Sequence, residues 1–265
     1  MGKSKPSLGQ NFLVDESAVL RIVDALGDIG DGLVIEIGPG RGALTQLLAA
    51  RAKSLVAIEL DRTLAPFLQI QFGGNPAVHI LQQDILATDL SEITRQYGAG
   101  KKARVLGNLP YYITSDILLH LLDHGDAFDL AVLMVQREVA ERVAAQPGSR
   151  DYGMLSATVQ MFARVEQLFT LPPEAFQPAP KVHSTVLRLT VAPRYGELGV
   201  ERKPFENFLR SIFAQKRKIL GRNLRNAGFS TERIAAAMET AGLDANVRAE
   251  ACSLEAMAAL HRALR

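Results

Sequence analysis

The chain has 265 residues, 48% of them apolar, with 30 Lys/Arg against 28 Asp/Glu. That length can bury a large core and suits one large domain plus one small one. The single cysteine, Cys252, excludes a disulfide framework and a thiolate zinc site and agrees with a reducing cytoplasm. No segment approaches the roughly 20 apolar residues of a membrane span, and the first residues hold no apolar signal core, so a cytoplasmic, membrane-free location is expected.

In chain order, Met1 to Pro6 resembles both a phosphate-loop tail and a myristoylation site. It lacks the upstream glycine of the first and has Pro6 where the second needs Ser or Thr. Lys3 and Lys5 are expected to belong to a flexible basic arm. From Leu33 to Thr45, five strand-like residues run into Gly38, Gly40 and Gly42 and then a helix ending near Ala50. Such glycines let a ligand approach the backbone, and Gly38-x-Gly40-x-x-Ala43 also fits a dinucleotide fingerprint. Glu36, just before the turn, suits the ammonium of S-adenosylmethionine better than a pyrophosphate.

The next strand, Ser54 to Ile58, ends at Glu59, where a carboxylate can accept both ribose hydroxyls of either cofactor. A third apolar run, Ala77 to Leu81, leads to Asp84, which either accepts from the amino group of a cofactor adenine or caps a turn. A fourth run, Ala103 to Leu106, ends in Asn108-Leu109-Pro110-Tyr111 before a helical pattern. With each acid following its own strand, Glu36, Glu59, Asp84 and Asn108 are expected along one edge of a parallel sheet, where open α/β folds bind ligands.

Asn108-Leu109-Pro110-Tyr111 resembles the catalytic tetrapeptide of amino-group methyltransferases, and that resemblance implies a chemistry. The exocyclic amine of adenine is a poor nucleophile because its lone pair is delocalised, so acceptors must hold the nitrogen in a more tetrahedral form. The Asn108 oxygen and a carbonyl held by Leu109 and Pro110 can accept from the amine, while Tyr111 stacks on an extruded base. No general base is required, because the alkylated nitrogen is acidic enough to lose its proton to water. Orientation then carries catalysis. The plain alternative is a strand ended by proline and followed by a buried tyrosine.

His120 and His124 stand four apart on a helix without a matching cluster elsewhere, so no metal is expected. Phe128 to Val135 reads as another buried strand, and Arg164 to Leu171 and Ser184 to Val191 as an antiparallel pair closing the sheet. Pro193, Gly196, Gly199 and Pro204 mark a boundary, which divides the chain into domains 1–192 and 193–265. Beyond it, Phe205, Phe208, Leu209 and Ile212, then 231–241 and 253–264, recur at helical spacing. Residues 194–265 carry 13 Lys/Arg against 8 Asp/Glu, whereas 1–193 carry 17 against 20. The basic residues Lys216, Arg217, Lys218, Arg222 and Arg225 crowd one stretch whose natural partner is phosphate, or which is simply a solvated helix face. Gly221 is an unexpected helix weakener there.

Taken together, the blocks Leu8–Leu13, Glu36–Gly40, Glu59–Asp61, Gln83–Asp84, Gly107–Tyr112, Val135–Ala140 and Phe176–Ser184 resemble the ribosomal RNA adenine dimethyltransferases. The likeness is stronger to the small-subunit members than to the antibiotic-resistance ones. The resemblance implies a Rossmann-like, mostly parallel methyltransferase sheet plus a helical domain that binds RNA. It implies dimethylation, by S-adenosylmethionine, of two adjacent adenosines in a hairpin loop near the 3′ end of small-subunit ribosomal RNA. The partners implied are that RNA and the immature small ribosomal subunit, met by a monomer. It further implies that Asn11 and Leu13 close over the cofactor, Gly38 meets its methionine part, Glu59 its ribose and Asp84 its adenine. Asn108 faces cofactor and amine, and Phe176 joins Tyr111 on the base. The family usually has two arginines and a lysine where this chain has Lys216-Arg217-Lys218, which puts any bidentate Arg contact there in doubt. A resistance-type enzyme, a dinucleotide oxidoreductase and a noncatalytic RNA-binding assembly factor are the alternatives.

Overall fold

Four of the five residues Leu33–Ile37 are apolar and occupy both faces of the run, which demands a strand covered on both sides. In the computed structural model, which describes residues 10–215 and 217–265, every residue of this strand is buried. The basic arm with Lys3 and Lys5, Leu8 and Gly9, and Lys216 lie outside the described residues.

The elements follow in chain order as β1 (Phe12–Leu13), α1 (Glu16–Asp24), β2 (Leu33–Ile37), α2 (Ala43–Arg51), β3 (Ser54–Glu59), α3 (Leu64–Phe72), β4 (Val78–Gln82), α4 (Leu90–Tyr97) and β5 (Ala103–Asn108). Then come α5 (Thr114–Asp123), β6 (Phe128–Gln136), α6 (Arg137–Ala144), α7 (Met154–Phe162), β7 (Ala163–Leu171), β8 (Phe176–Gln177) and β9 (Ser184–Val191). The last four helices are α8 (Arg202–Ile212), α9 (Leu220–Asn226), α10 (Thr231–Thr240) and α11 (Leu254–Ala263). Several starts are set by side-chain caps: Asp15 accepts from the Ala18 amide at 3.1 Å, and Asp89 from those of Ser91 and Glu92 at 2.8 and 3.2 Å.

A seven-stranded sheet runs in the order β4-β3-β2-β5-β6-β9-β7. The first five strands pair in parallel and β9 joins β6 antiparallel. Thr170 meets Thr185 and Glu166 meets Arg188, so β7 also runs against β9, giving the expected antiparallel closure. The order reverses direction beside β2 and β5, which opens a crevice at their carboxyl ends. A separate two-stranded ribbon pairs β1 with β8, Leu13 opposite Phe176.

The chain divides into two compact units. The first ends at Ala140, resumes at Val165 and closes at Val191; the second is Glu141–Arg164 plus Ala192–Arg265. Its near edge falls beside the expected boundary, but 141–164 departs from the expected division. The reason is packing: Tyr152, Ala157 and Met161 share one buried cluster with Phe205, Leu209, Leu224, Met257 and Leu260. No helix among the described residues is long and apolar enough to cross a membrane.

Candidate functional site: a crevice at the strand ends

The site grows from the turn after β2. Gly38 and Gly40 adopt φ of 66° and 60°, a region that costs an L-residue about 1–2 kcal/mol. The Gly38 amide donates to the Ile58 carbonyl at 2.9 Å, which fastens the turn to β3. A Cβ on Gly40 would lie 3.0 Å from the Phe12 ring, so only glycine lets the N-terminal ribbon sit this close. Arg41 lies over the same Phe12 ring, its guanidinium carbon 4.4 Å from the ring centre.

Three adjoining cavities follow the strand ends. One of about 70 Å³ is bounded by Gln10, Asn11, Phe12, Gly38, Gly40, Glu59 and the run Asn108 to Tyr111. A second, about 200 Å³, lies between Phe12–Val14 and the glycine turn and also touches Asn108. A third, about 60 Å³, is bounded by Glu59, Leu60, Asp84, Ile85, Pro110 and Tyr112 among others. Gly38 borders all three, and Leu13 the second.

Glu59 ends β3 with its carboxylate almost enclosed. Oε2 accepts from the Gly40 amide at 3.0 Å and Oε1 from the Asp61 amide at 2.9 Å. Burial pushes its pKa above the usual carboxylate value, and the two amides oppose that push. Each oxygen keeps acceptor capacity toward the cavity. Asp84 caps the turn Ile85–Ala87, Oδ1 accepting from the Leu86 amide at 2.9 Å, so the capping reading holds, while the residue also borders the third cavity.

Glu36 is the main departure. It sits inside β2 beneath the turn, is 1% exposed, and borders none of the three cavities. Neither carboxyl oxygen has a hydrogen-bond partner within ordinary reach, and burial raises its pKa to about 8, with the nearby Thr45 hydroxyl opposing. Glu36 lies on the same face of the sheet as Glu59 but level with Ala57, one step deeper, and is covered there, whereas Glu59, Asp84 and Asn108 border the cavities.

Asn108 closes β5. Its Nδ2 donates to the Asn11 carbonyl at 2.9 Å, which turns Oδ1 into the free acceptor of the amide. The Leu109 amide donates to the Met134 carbonyl at 3.0 Å, continuing the β5–β6 ladder. The Pro110 carbonyl is already engaged by the Thr114 hydroxyl at 3.0 Å and the Ile113 amide at 3.3 Å. Tyr111 is half-buried, its hydroxyl 2.7 Å from Ser184 Oγ, and burial raises its pKa. Tyr112, by contrast, is 61% exposed.

Phe176 is not at the crevice. It is 3% exposed and packs with Leu13, Leu171 and Ala175 in the main core, because pairing with β1 points its ring inward. The plain reading of this residue, a core aromatic, is the one observed. His120 and His124 spend ring nitrogens on the Thr88 and His120 carbonyls, at 2.9 and 3.0 Å.

In the second unit, Arg217 and Lys218 stand exposed on the turn before α9, and Arg222 and Arg225 exposed on α9 itself. The turn is not the continuous helix face that the charge run suggests. Asn223, 2% exposed, donates to the carbonyls of Ile212 at 2.6 Å and Gln215 at 3.3 Å and so fastens it. Gly221 falls in the first turn of α9, where a Cβ would make only ordinary contacts with Ile234 and Met238. Sequence reasoning missed Asn223, Thr114 and Ser184 as anchors. Thr114 opens the helical pattern directly after the tetrapeptide and Ser184 ends the Phe176–Ser184 block, both usable signals; Asn223 carries none.

Comparison with known proteins agrees with this geometry. A family model described as "Ribosomal RNA adenine dimethylase" matches residues 1–265. A "Ribosomal RNA small subunit methyltransferase A" of Acidobacterium capsulatum is 59% identical over 263 residues, covering 99% of this chain and 92% of that one. One from Koribacter versatilis is 53% identical, covering 98% and 94%. Among solved structures, a dimethyladenosine transferase from Plasmodium falciparum superposes with a TM-score of 0.77 at 23% identity, covering 94% and 95%. The 23S rRNA methyltransferase ErmE superposes at 0.70 and 24% identity, covering 96% and 99%. Those two likenesses show the fold alone, a mostly parallel Rossmann-like sheet.

Proposed function

Because the chain belongs to the ribosomal RNA adenine dimethylase family, we propose that it dimethylates N6 of two adjacent adenosines in the 3′-terminal hairpin loop of small-subunit ribosomal RNA. The methyl donor in this reading is S-adenosylmethionine, and the substrate is an assembling small subunit. The observation that carries it is the junction of a glycine turn with an asparagine whose amide is oriented by a backbone carbonyl.

The crevice suits the donor. A backbone cradle at Gly38 and Gly40, a buried carboxylate with acceptor capacity at Glu59, and a third cavity with Asp84 beside Ile85 and Leu60 match a sulfonium amino acid, a ribose and an adenine in sequence along one edge. Asn11 and Leu13, on the ribbon side, would cover the methionine part. When bound, S-adenosylmethionine supplies a methyl group on a positively charged sulfur, open to attack by nitrogen.

The chain's own residues then act by orientation. Asn108 Oδ1 accepts one hydrogen of the target amine, since the amide's NH2 is committed to Asn11. Thr114 and Ile113 occupy the Pro110 carbonyl, so the second acceptor is assigned to the Leu109 carbonyl. Pro110 holds that segment by its own restricted φ. Tyr111 offers its ring to the flipped base. With both acceptors in place, the nitrogen lone pair is drawn out of the ring and toward the methyl, and the spent proton leaves to water. Arg217, Lys218, Arg222 and Arg225, with Lys216, would contact phosphates through the second unit, Glu141–Arg164 with Ala192–Arg265. Their modest number favours a particle, which adds shape and contacts, over naked RNA. A cytoplasmic monomer completes the reading.

The test is transfer of labelled methyl from S-adenosylmethionine to unmethylated small subunits, with nucleosides separated and Asn108→Ala alongside. Dimethyladenosine that disappears in the variant supports the reading. Labelling of large-subunit RNA instead would transfer it to the resistance type, and no labelling of either would leave an RNA-binding assembly factor.

A further inference from the structure

We propose that Ser184 is a positioning residue for the methyl transfer: its hydroxyl holds the Tyr111 ring at the angle in which a flipped adenine is received. This rests on the methyltransferase reading above, in which Tyr111 is the platform for the target base.

A phenol ring can swing about two torsions, and a platform that swings presents its face to a base only part of the time. Here both ends of Tyr111 are held. At the backbone end, the Thr114 hydroxyl grips the preceding carbonyl of Pro110 at 3.0 Å. At the far end, the tyrosine oxygen lies 2.7 Å from Ser184 Oγ, within the ordinary range for a hydroxyl pair. Ser184 is itself immobile: it is fully buried, opens β9, and faces Gln136 across the β6–β9 ladder. The neighbouring turn is tied as well, the Arg137 amide donating to the His183 carbonyl at 3.0 Å. A rigid sheet therefore reaches the mobile end of a ring that begins on the catalytic turn.

The rest of the surroundings gives the bond this role. Tyr111 is half-buried, and burial raises its pKa, so the hydroxyl stays neutral and its partner is another neutral hydroxyl. Such a pair does no acid–base chemistry at neutral pH. What it supplies is direction. Tyr112, next in the chain, stands 61% exposed, which shows how the same type of side chain lies in this turn when it is left toward solvent.

Four proteins test this: wild type, Ser184→Ala, Tyr111→Phe and the double variant. Each is assayed for kcat and KM on small subunits, for cofactor affinity by calorimetry, and for melting temperature. A fifth readout needs no cofactor: the fluorescence of a hairpin RNA carrying 2-aminopurine at the target position, which reports stacking of the flipped base. Loss of one neutral hydrogen bond corresponds to about a five- to tenfold effect. Ser184→Ala and Tyr111→Phe should each lower kcat by about that factor and reduce the 2-aminopurine stacking signal, with cofactor affinity unchanged. The double variant should be no worse than Tyr111→Phe alone, because both changes remove one and the same bond.

Additive losses in the double variant would overturn the proposal, as would a Ser184→Ala enzyme with wild-type kcat. Should Ser184→Ala fold poorly, Tyr111→Phe decides alone, since full activity in it would show that the bond has no kinetic role. A wild-type protein that transfers no methyl group would defeat the methyltransferase reading itself, an outcome distinct from active wild type with an indifferent Ser184.

Discussion

Glu59→Gln replaces one carboxylate oxygen by an NH2 group and leaves the shape intact. In the structure both oxygens accept backbone amides, from Gly40 at 3.0 Å and Asp61 at 2.9 Å, inside a pocket where the residue is 4% exposed. Whichever oxygen is replaced, a donor then faces a donor. One of the two amides loses its partner, and the cavity side loses one acceptor for a ribose hydroxyl. Hydrogen bonds to a charged group contribute about 1.5–3 kcal/mol each. Loss of one such bond to the cofactor should weaken S-adenosylmethionine binding by about 10- to 150-fold. The loss of Gly40's partner adds a cost to the free protein, offset in part because an unfavourably buried charge disappears. Calorimetric titration of the cofactor measures the first effect, and the urea midpoint of the free protein the second. Binding to small-subunit particles should be unchanged. A cofactor affinity within threefold of wild type would refute the assignment of Glu59 to the ribose.

Other perturbations probe separate parts of the molecule. Gly40→Ala forces an L-residue to φ 60° and sets a Cβ 3.0 Å from the Phe12 ring, so at least about 1–2 kcal/mol of stability should go. Gly74→Ala, where a Cβ meets nothing within 4 Å, is the matched control, and equal melting temperatures for the two would contradict the steric account. For Glu36, the folded carboxyl titrates near 8 and the unfolded one near 4.5, so the native state holds a proton that the unfolded chain has released in between. Stability contributed by that group is therefore greatest below the window and declines as pH rises through it. Glu36→Gln should exceed wild type in urea resistance by on the order of 3 kcal/mol at pH 7 but by little at pH 5; a gap that does not widen between those pH values would rule this out. Replacing Arg222 and Arg225 together by Ala should weaken RNA binding alike for all sequences and flatten its salt dependence by about 0.7–0.9 per lost phosphate contact. An unchanged slope would remove α9 from the RNA surface.

Much of this fold is legible before any coordinates. The runs at 33–37, 54–59 and 103–108 are mostly apolar on both faces because parallel strands are covered on both sides, and the glycines that follow the first of them mark its turn. Side-chain depth is another matter. Glu36 and Glu59 share one face of the sheet, Glu36 level with Ala57, yet Glu59 stands one step nearer the strand ends, so one carboxyl is covered and the other reaches the crevice, a difference of depth that residue type does not encode. Phe176 was open to two readings for a similar reason: its fate depends on pairing with Leu13, 163 positions earlier, and long-range register leaves no local trace. The stretch 141–164 joins the helical unit through buried Tyr152 and Met161 with no composition shift to announce the crossing. Tyr111 was legible as a motif member, but the hydroxyl that anchors it comes from a residue 73 positions away.

The small ribbon of Phe12–Leu13 with Phe176–Gln177, and the Asn108–Asn11 bond 97 positions apart, have a consequence for biosynthesis. The first wall of the crevice leaves the ribosome early, but its partners are the middle and the later part of the chain. Contacts of such sequence separation form late in folding, since their loops must close before they are stabilised. A nascent chain stopped before Gln177 has its glycine turn and its Asn108 yet lacks the strand that seats Phe12 over them. Competence for chemistry is thus withheld until about two-thirds of the polypeptide exists, and truncated products of translation are silent by construction.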